Sequence, residues 1–181
     1  SLRSLFTKQP THMVFQGDYD IACLTEVQAD LDDLYKFPAM WTKLSNCFKY
    51  TFWNPCSYST RGAGYSGTAI FTNARPKRVI YGFDDNEDPE IEGHLITLLF
   101  KDVAVICCYS PSIGVQDMKH RVQYRLQIDR RLASHAATIR LHMPVILCGD
   151  FNVSLTDQDC PDEPFPAPVG YATRSTDERV G

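Results

Sequence analysis

The sequence is short of long apolar runs. Nothing in its 181 residues approaches the roughly eighteen consecutive apolar positions of a membrane span, so a membrane is not expected as a partner. The opening Ser1-Leu2-Arg3-Ser4-Leu5-Phe6 lacks the apolar stretch of a secretory signal. It also lacks an initiator Met, which fits processing, trimming or a longer parent product. No G-x-G-x-x-G and no P-loop occurs, which removes the common nucleotide cradles. There are no repeats, no low-complexity blocks, no C-x-x-C pair and no Cys/His ligand spacing. Excess positive charge is missing too: the net charge is -4 and the pI near 5.7, which argues against a protein that merely coats nucleic acid.

What is present is ordinary for one globular domain. Apolar residues make up 44% and charged residues 22%, and the length suffices for a core of its own. The seven cysteines are an odd number. Cys107, Cys108 and Cys148 lie in apolar runs, where a free thiol behaves as a small hydrophobe. All seven are therefore read as reduced, in an intracellular setting, with Cys107 and Cys148 buried and unpaired.

The patterning alternates elements. Asp20–Leu24 reads as a buried strand, and residues 30–45 have helical spacing that Pro38 interrupts. Phe48–Trp53 is strand-like, Arg61–Gly64 a turn, and Thr68–Phe71 a second buried run. Residues 84–90 form an acidic loop. Two strands, His94–Phe100 and Val103–Tyr109, are separated by Lys101-Asp102 as in a tight hairpin. Met118–Leu141 is a long helix with Val122, Leu126, Leu132, Ala133, Ala136 and Ile139 at helical spacing. Pro144–Cys148 reads as a further buried strand, and the proline-crowded segment after Cys160 as an extended loop. The order predicts an α/β chain with helices covering sheets.

Polar residues stand just beyond these apolar strands. Glu26 follows the first, Tyr109 ends another, and Asp150 and Asn152 follow a third. Strand ends of this kind hold functional groups rigidly within reach of solvent. They are expected to converge at one end of the sheets. Glu26 suits a hard cation such as Mg²⁺, Asp150 the orientation or deprotonation of a water, and Asn152 a bond to a phosphate oxygen. Alone, Glu26 or Asp150 reads more readily as a turn or cap residue, and Tyr109 as an interface or rim residue. His120 and His135, on the long helix, read as surface or capping residues.

In combination these segments resemble the endonuclease/exonuclease/phosphatase family, in its exonuclease III-like AP endonuclease branch. Asp20-Ile21-Ala22-Cys23-Leu24-Thr25-Glu26 resembles the strand whose Glu binds metal. Tyr65-Ser66-Gly67, Glu92-Gly93-His94 and Tyr109-Ser110-Pro111 resemble the family's Tyr-Ser-Gly, Glu-Gly-Arg and Tyr-x-Pro segments. Gly149-Asp150-Phe151-Asn152 matches its Gly-Asp-x-Asn motif, and Thr176–Arg179 resembles a later Glu-Arg loop. The resemblance implies a four-layer α/β sandwich of two mixed sheets, with residues 1–181 as one domain incomplete at both ends. It implies Mg²⁺-assisted phosphodiester hydrolysis on DNA, with Glu26 as metal ligand and Tyr109, Asp150 and Asn152 as catalytic residues, in the nucleus or a mitochondrion.

Departures accompany the match. Thr25 replaces a Gln, Gln28 a Lys, His94 an Arg and Ser112 an Asn, while Val115 stands where DNA-cleaving members carry a DNA-touching residue. The family's first Asn motif, second Asp and Asp-His segment are not found in the sequence. The expectation is an inactive chain when tested alone, since partial constellations lose most of the rate. The alternatives are a non-catalytic domain within a larger assembly, such as a ribonucleoprotein with a protein partner, and a phosphatase or RNA deadenylase of the same superfamily.

Overall fold

The computed structural model describes residues 19–28, 38–56, 66–83, 93–112 and 118–153. Strands β1 (Ile21–Thr25), β2 (Tyr50–Asn54) and β3 (Thr68–Thr72) form one sheet in the order β1-β3-β2. Strands β4 (Arg78–Tyr81), β5 (Leu95–Leu99), β6 (Ala104–Tyr109) and β7 (Val145–Asp150) form the second, in sequential order. Helix α1 (Pro38–Cys47) precedes β2, and α2 (Met118–Arg140) connects β6 to β7.

The apolar patterning explains the layers. Ile70 of β3 packs with Ile96, Leu98, Val105 and Cys107 of the second sheet, and Ile21, Cys23 and Phe52 close the same cluster. That is the seam between face-to-face sheets. On the outer face of the second sheet, Leu95, Ile106 and Cys108 meet Leu132, Ala136 and Ile139 of α2. Phe71 alternates to the opposite face of β3 from Ile70. There the rings of Phe48 and Trp53 lie 5.7 and 5.0 Å from it, and Leu44 of α1 is fully buried. Asn73, just past β3, donates to the Cys47 carbonyl and accepts from the Lys49 amide, which fastens the end of α1 to that sheet. The result is the four-layer α/β sandwich.

Several expectations hold and several need correction. The hairpin is present: β5 and β6 are antiparallel, and the Phe100 amide donates to the Val103 carbonyl across Lys101-Asp102. The second sheet is mixed, because β6 and β7 are parallel, whereas the described pairings of the first sheet are all antiparallel. Pro38 stands at the start of α1, where its missing N–H costs nothing in a first turn. β4 went unread, because Arg78–Tyr81 is short and half exposed. β7 is not a buried strand. It is an edge strand among the described residues, with Ile146 54% and Leu147 40% exposed. β1, also an edge, is only half buried. Ala133 of α2 is exposed. The turn at 61–64, the acidic loop and the segment after Cys160 lie outside the described residues, as do positions 30–37. No described helix is long and apolar enough to cross a membrane.

The six described cysteines carry no disulfide. Cys107 is fully buried as expected, but Cys148 is only half buried, a consequence of its edge strand. Cys23, Cys107 and Cys148 meet in the inter-sheet seam. A hydrogen bond with Cys107, followed by burial, pushes the Cys23 thiol up to about 12; burial pushes Cys108 up to about 12. Both thiols keep their proton in the fold, while the unfolded chain ionises at the ordinary value of 9.0. Their contribution is therefore complete below pH 9 and is lost as pH rises from there toward 12. In urea unfolding, the part of the stability that these thiols contribute should not change with pH below 9. The unfolding free energy should then fall by up to about 1.4 kcal/mol per pH unit for each thiol between pH 9 and 12, with a shallower fall in Cys23→Ala.

Candidate active site

The strand directions bring strand ends of both sheets to one end of the sandwich. In the first sheet, Thr25 at the end of β1 and Asn54 at the end of β2 both pair with Thr68 at the start of β3. In the second, Leu95 at the start of β5 pairs with Cys108, and Tyr109 pairs in register with Asp150. Two side chains clip the sheets together there. Asn54 Nδ2 donates to the Leu95 carbonyl at 2.9 Å, and Thr68 Oγ1 donates to the Gly93 carbonyl at 3.0 Å.

Glu26 sits one residue past β1 with φ of 51°, a left-handed conformation uncommon for a residue with a Cβ. Two features hold it. Val27, next in sequence, is buried, and its amide donates to the Gly67 carbonyl at 3.1 Å. Gly67, itself at φ 88°, leaves room for Val27: a Cβ there would lie 2.5 Å from Val27 Cγ2. The reversed backbone leaves the Glu26 side chain exposed.

Tyr109 is the counterpart on the second sheet. Its ring is buried, stacked on His94 with centroids 5.9 Å apart and planes 20° apart. His94 Nε2 in turn lies 3.1 Å from the Tyr124 hydroxyl on α2. The Tyr109 hydroxyl donates to Glu26 Oε1 at 2.8 Å, which bridges the two sheets. Its single hydrogen is thereby committed to Glu26.

Asp150 and Asn152 complete the set. Asp150 is exposed at the end of β7, and its Oδ1 accepts from the Asn152 amide at 2.9 Å, forming an Asx turn. Asn152 adopts φ of 46°, which Asn tolerates better than most residues. Its Nδ2 donates to the Ser110 carbonyl at 2.8 Å, so one amide hydrogen already binds the loop after β6. The structure thus brings Glu26, Tyr109, Asp150 and Asn152 to one end of the sheets.

Two neighbours, Arg125 and Asp129, escaped sequence reading, and two more, Ser110 and His94, were read only as members of motif segments. Arg125 of α2 is buried and reaches the backbone of both strand-exit loops, and Asp129, one turn on, accepts from it. Ser110 donates to Asp129 at 2.9 Å, and His94 supports the Tyr109 ring. An arginine lying inside the apolar stripe of α2, three residues past Val122, was the available signal. His135 is neither a surface nor a capping residue: its Nε2 lies 2.9 Å from Thr97 Oγ1, and its ring meets Phe83 edge-on. The side chain of His120, along with Val115 and Thr176–Arg179, lies outside the described residues.

Gly149 carries the closest approach in the site. It has φ of 145°, and a Cβ there would stand 1.8 Å from the Cys108 carbonyl oxygen on β6. Neither backbone can yield without breaking the parallel ladder. Gly149→Ala should therefore destabilise the fold by roughly 3 kcal/mol, read as a lowered urea midpoint.

Comparison with known proteins agrees with this geometry. The family model described as the endonuclease/exonuclease/phosphatase family matches residues 2–176. The exodeoxyribonuclease of Bacillus subtilis is 35% identical over 146 residues, covering 80% of this chain and 51% of that protein. The DNA repair nuclease APEX1 of Danio rerio is 29% identical over 158 residues, covering 87% of this chain and 48% of the relative. An AP endonuclease from Archaeoglobus fulgidus superposes with a TM-score of 0.72 at 23% identity, over 99% of this chain and 64% of that one. The chain thus spans about half the length of the curated relatives it matches. It belongs to the endonuclease/exonuclease/phosphatase family, in the exonuclease III-like AP endonuclease branch.

Proposed function

We propose that this chain provides part of a Mg²⁺-dependent phosphodiester-hydrolysing site that acts on DNA, at abasic positions or 3′ ends. The observation that carries the reading is the Tyr109–Glu26 hydrogen bond between the sheets, with Asp150 in register beside Tyr109. The relatives' names, an exodeoxyribonuclease and a DNA repair nuclease, support DNA as the substrate. The same reading places the protein inside the cell, in the nucleus or a mitochondrion.

The donor set fits a lightly held cation. Glu26 offers an exposed carboxylate, and among the described residues no group of three or more His, Cys, Asp or Glu could hold a metal. One carboxylate with waters and a substrate phosphate suits Mg²⁺, which keeps much of its hydration. When bound, such an ion neutralises charge developing on a phosphate oxygen. The chain's own residues divide the remaining work. The exposed Asp150 carboxylate orients a water, and the second amide hydrogen of Asn152 serves a phosphate oxygen. Tyr109 positions Glu26 and lines the phosphate side.

A second reading is a non-catalytic domain in a larger assembly, binding DNA or RNA. The exposed Ile146 and Leu147 support it, since apolar side chains on a strand that is an edge among the described residues suit a protein partner. One experiment separates the two. The purified chain is incubated with an abasic duplex and Mg²⁺, beside Asp150→Ala, and its affinity for the duplex is measured with and without metal. The 181-residue chain is expected to show no incision above the control. It is expected to bind the duplex more tightly with Mg²⁺, by about fivefold, and Glu26→Gln should remove that gain. Binding indifferent to both metal and Glu26→Gln would sink the phosphodiesterase reading. Metal-dependent cleavage that vanishes in Asp150→Ala would remove the non-catalytic one.

A further inference from the structure

The site is assembled from two loops that share no strand bonds beyond Ser110. One leaves β6 through Tyr109, Ser110 and Pro111; the other leaves β7 through Asp150, Phe151 and Asn152. Past the ladder, their spacing depends on what lies behind them, and that is Arg125. Its Nη1 donates to the Pro111 carbonyl at 3.0 Å and the Asn152 carbonyl at 3.3 Å, and its Nη2 donates to the Phe151 carbonyl at 2.5 Å. Its Nε donates to Asp129 Oδ2 at 2.6 Å, and Asp129 Oδ1 accepts from Ser110 Oγ at 2.9 Å. The guanidinium is thus bonded to one carbonyl of the first loop, two of the second, and through Asp129 to the first again.

We infer that Arg125 is a positioning residue: its planar fork sets the distance between the Tyr109 loop and the Asp150–Asn152 loop, and so the width of the phosphate-facing site. The inference rests on the proposed reading for what the width is for, but not for the geometry. Arg125 is 2% exposed and points its donors at backbone, so it touches no substrate. Asn152 Nδ2 on the Ser110 carbonyl links the two loops directly, at 2.8 Å, and Arg125 links them from α2. A lysine would keep the charge and most of the stem. It cannot address three carbonyls and a carboxylate from one rigid plane.

The test uses Arg125→Lys in the full chain, with Ser110→Ala as a milder second variant that cuts only the Ser110–Asp129 link. Amide hydrogen exchange and ¹⁵N relaxation report the loops; affinity for an abasic duplex reports the site. In Arg125→Lys, the amides of Ser110, Ser112 and residues 150–152 should exchange at least about tenfold faster, while those of β3 and β5 keep their rates. The Asn152 side-chain amide signal should shift, although Arg125 does not bond it. Ser110→Ala should produce the same pattern at smaller amplitude, and it still decides the matter if Arg125→Lys does not fold. A uniform acceleration across all strands would mean general stability alone and would overturn the inference, as would unchanged loop exchange in both variants. Duplex affinity should fall by about tenfold in Arg125→Lys. If the unaltered chain binds no duplex, the proposed function fails, while the exchange pattern still decides the role of Arg125.

Discussion

Two strands that run side by side in the same direction cannot be joined by a tight turn. The chain leaving β6 at Tyr109 must return along the whole sheet before β7 can begin, and α2 is that return. The 23-residue helix covers the outer face of the second sheet and delivers β7 in register, so that Tyr109 faces Asp150. The parallel pairing has three further consequences. It places two loop exits side by side at one end of the sandwich. It requires Gly149 where β7 crowds the Cys108 carbonyl. It also lays the first half of α2 directly behind both exits, where Arg125 can reach them.

Much of this was readable from residue order. β3, β5 and β6 are fully or almost fully buried, and their apolar runs announced them. Lys101-Asp102 marked the hairpin because a polar pair between two such runs has few other uses. The polar residues just past the strands stood out against apolar neighbours, which is why the site was legible as a set. Edges were read less well. An apolar run such as Val145–Cys148 looks the same whether its strand is central or lateral, and only pairing order reveals Ile146 and Leu147 as exposed. β4 lacked a run altogether, and its place depends on pairing with β5.

The partners that act across the sequence were not legible. Arg125 makes sense only once Pro111 and Phe151 are known to lie within reach of its guanidinium. His94 looked like a departure from a motif arginine, but its neighbours make it a stacking partner for Tyr109 and place it beside Tyr124. His135 read as a surface residue because a helix shows its face only after it docks. In each case the pattern on one element was correct and the information lay on another.

The Arg125–Asp129 pair also bears on why α2 is not simply apolar at this point. An ion pair with one buried partner stabilises a fold little, since desolvation of the Arg125 charge offsets much of its attraction to the half-buried Asp129, and apolar side chains of similar size often do as well. A leucine at 125 would continue the stripe formed by Val122, Ile128 and Leu132. It would leave the Pro111, Phe151 and Asn152 carbonyls without the donor they now have, close to a face that excludes water. It would also take from the Asp129 carboxylate the charged donor that it now shares with the Ser110 hydroxyl. The charges at 125 and 129 are thus explained poorly by the stability of the helix and well by the backbone they address. That backbone carries Tyr109 at one exit and Asp150 at the other, each fixed by its own strand, with the distance between their loops set by a side chain on neither.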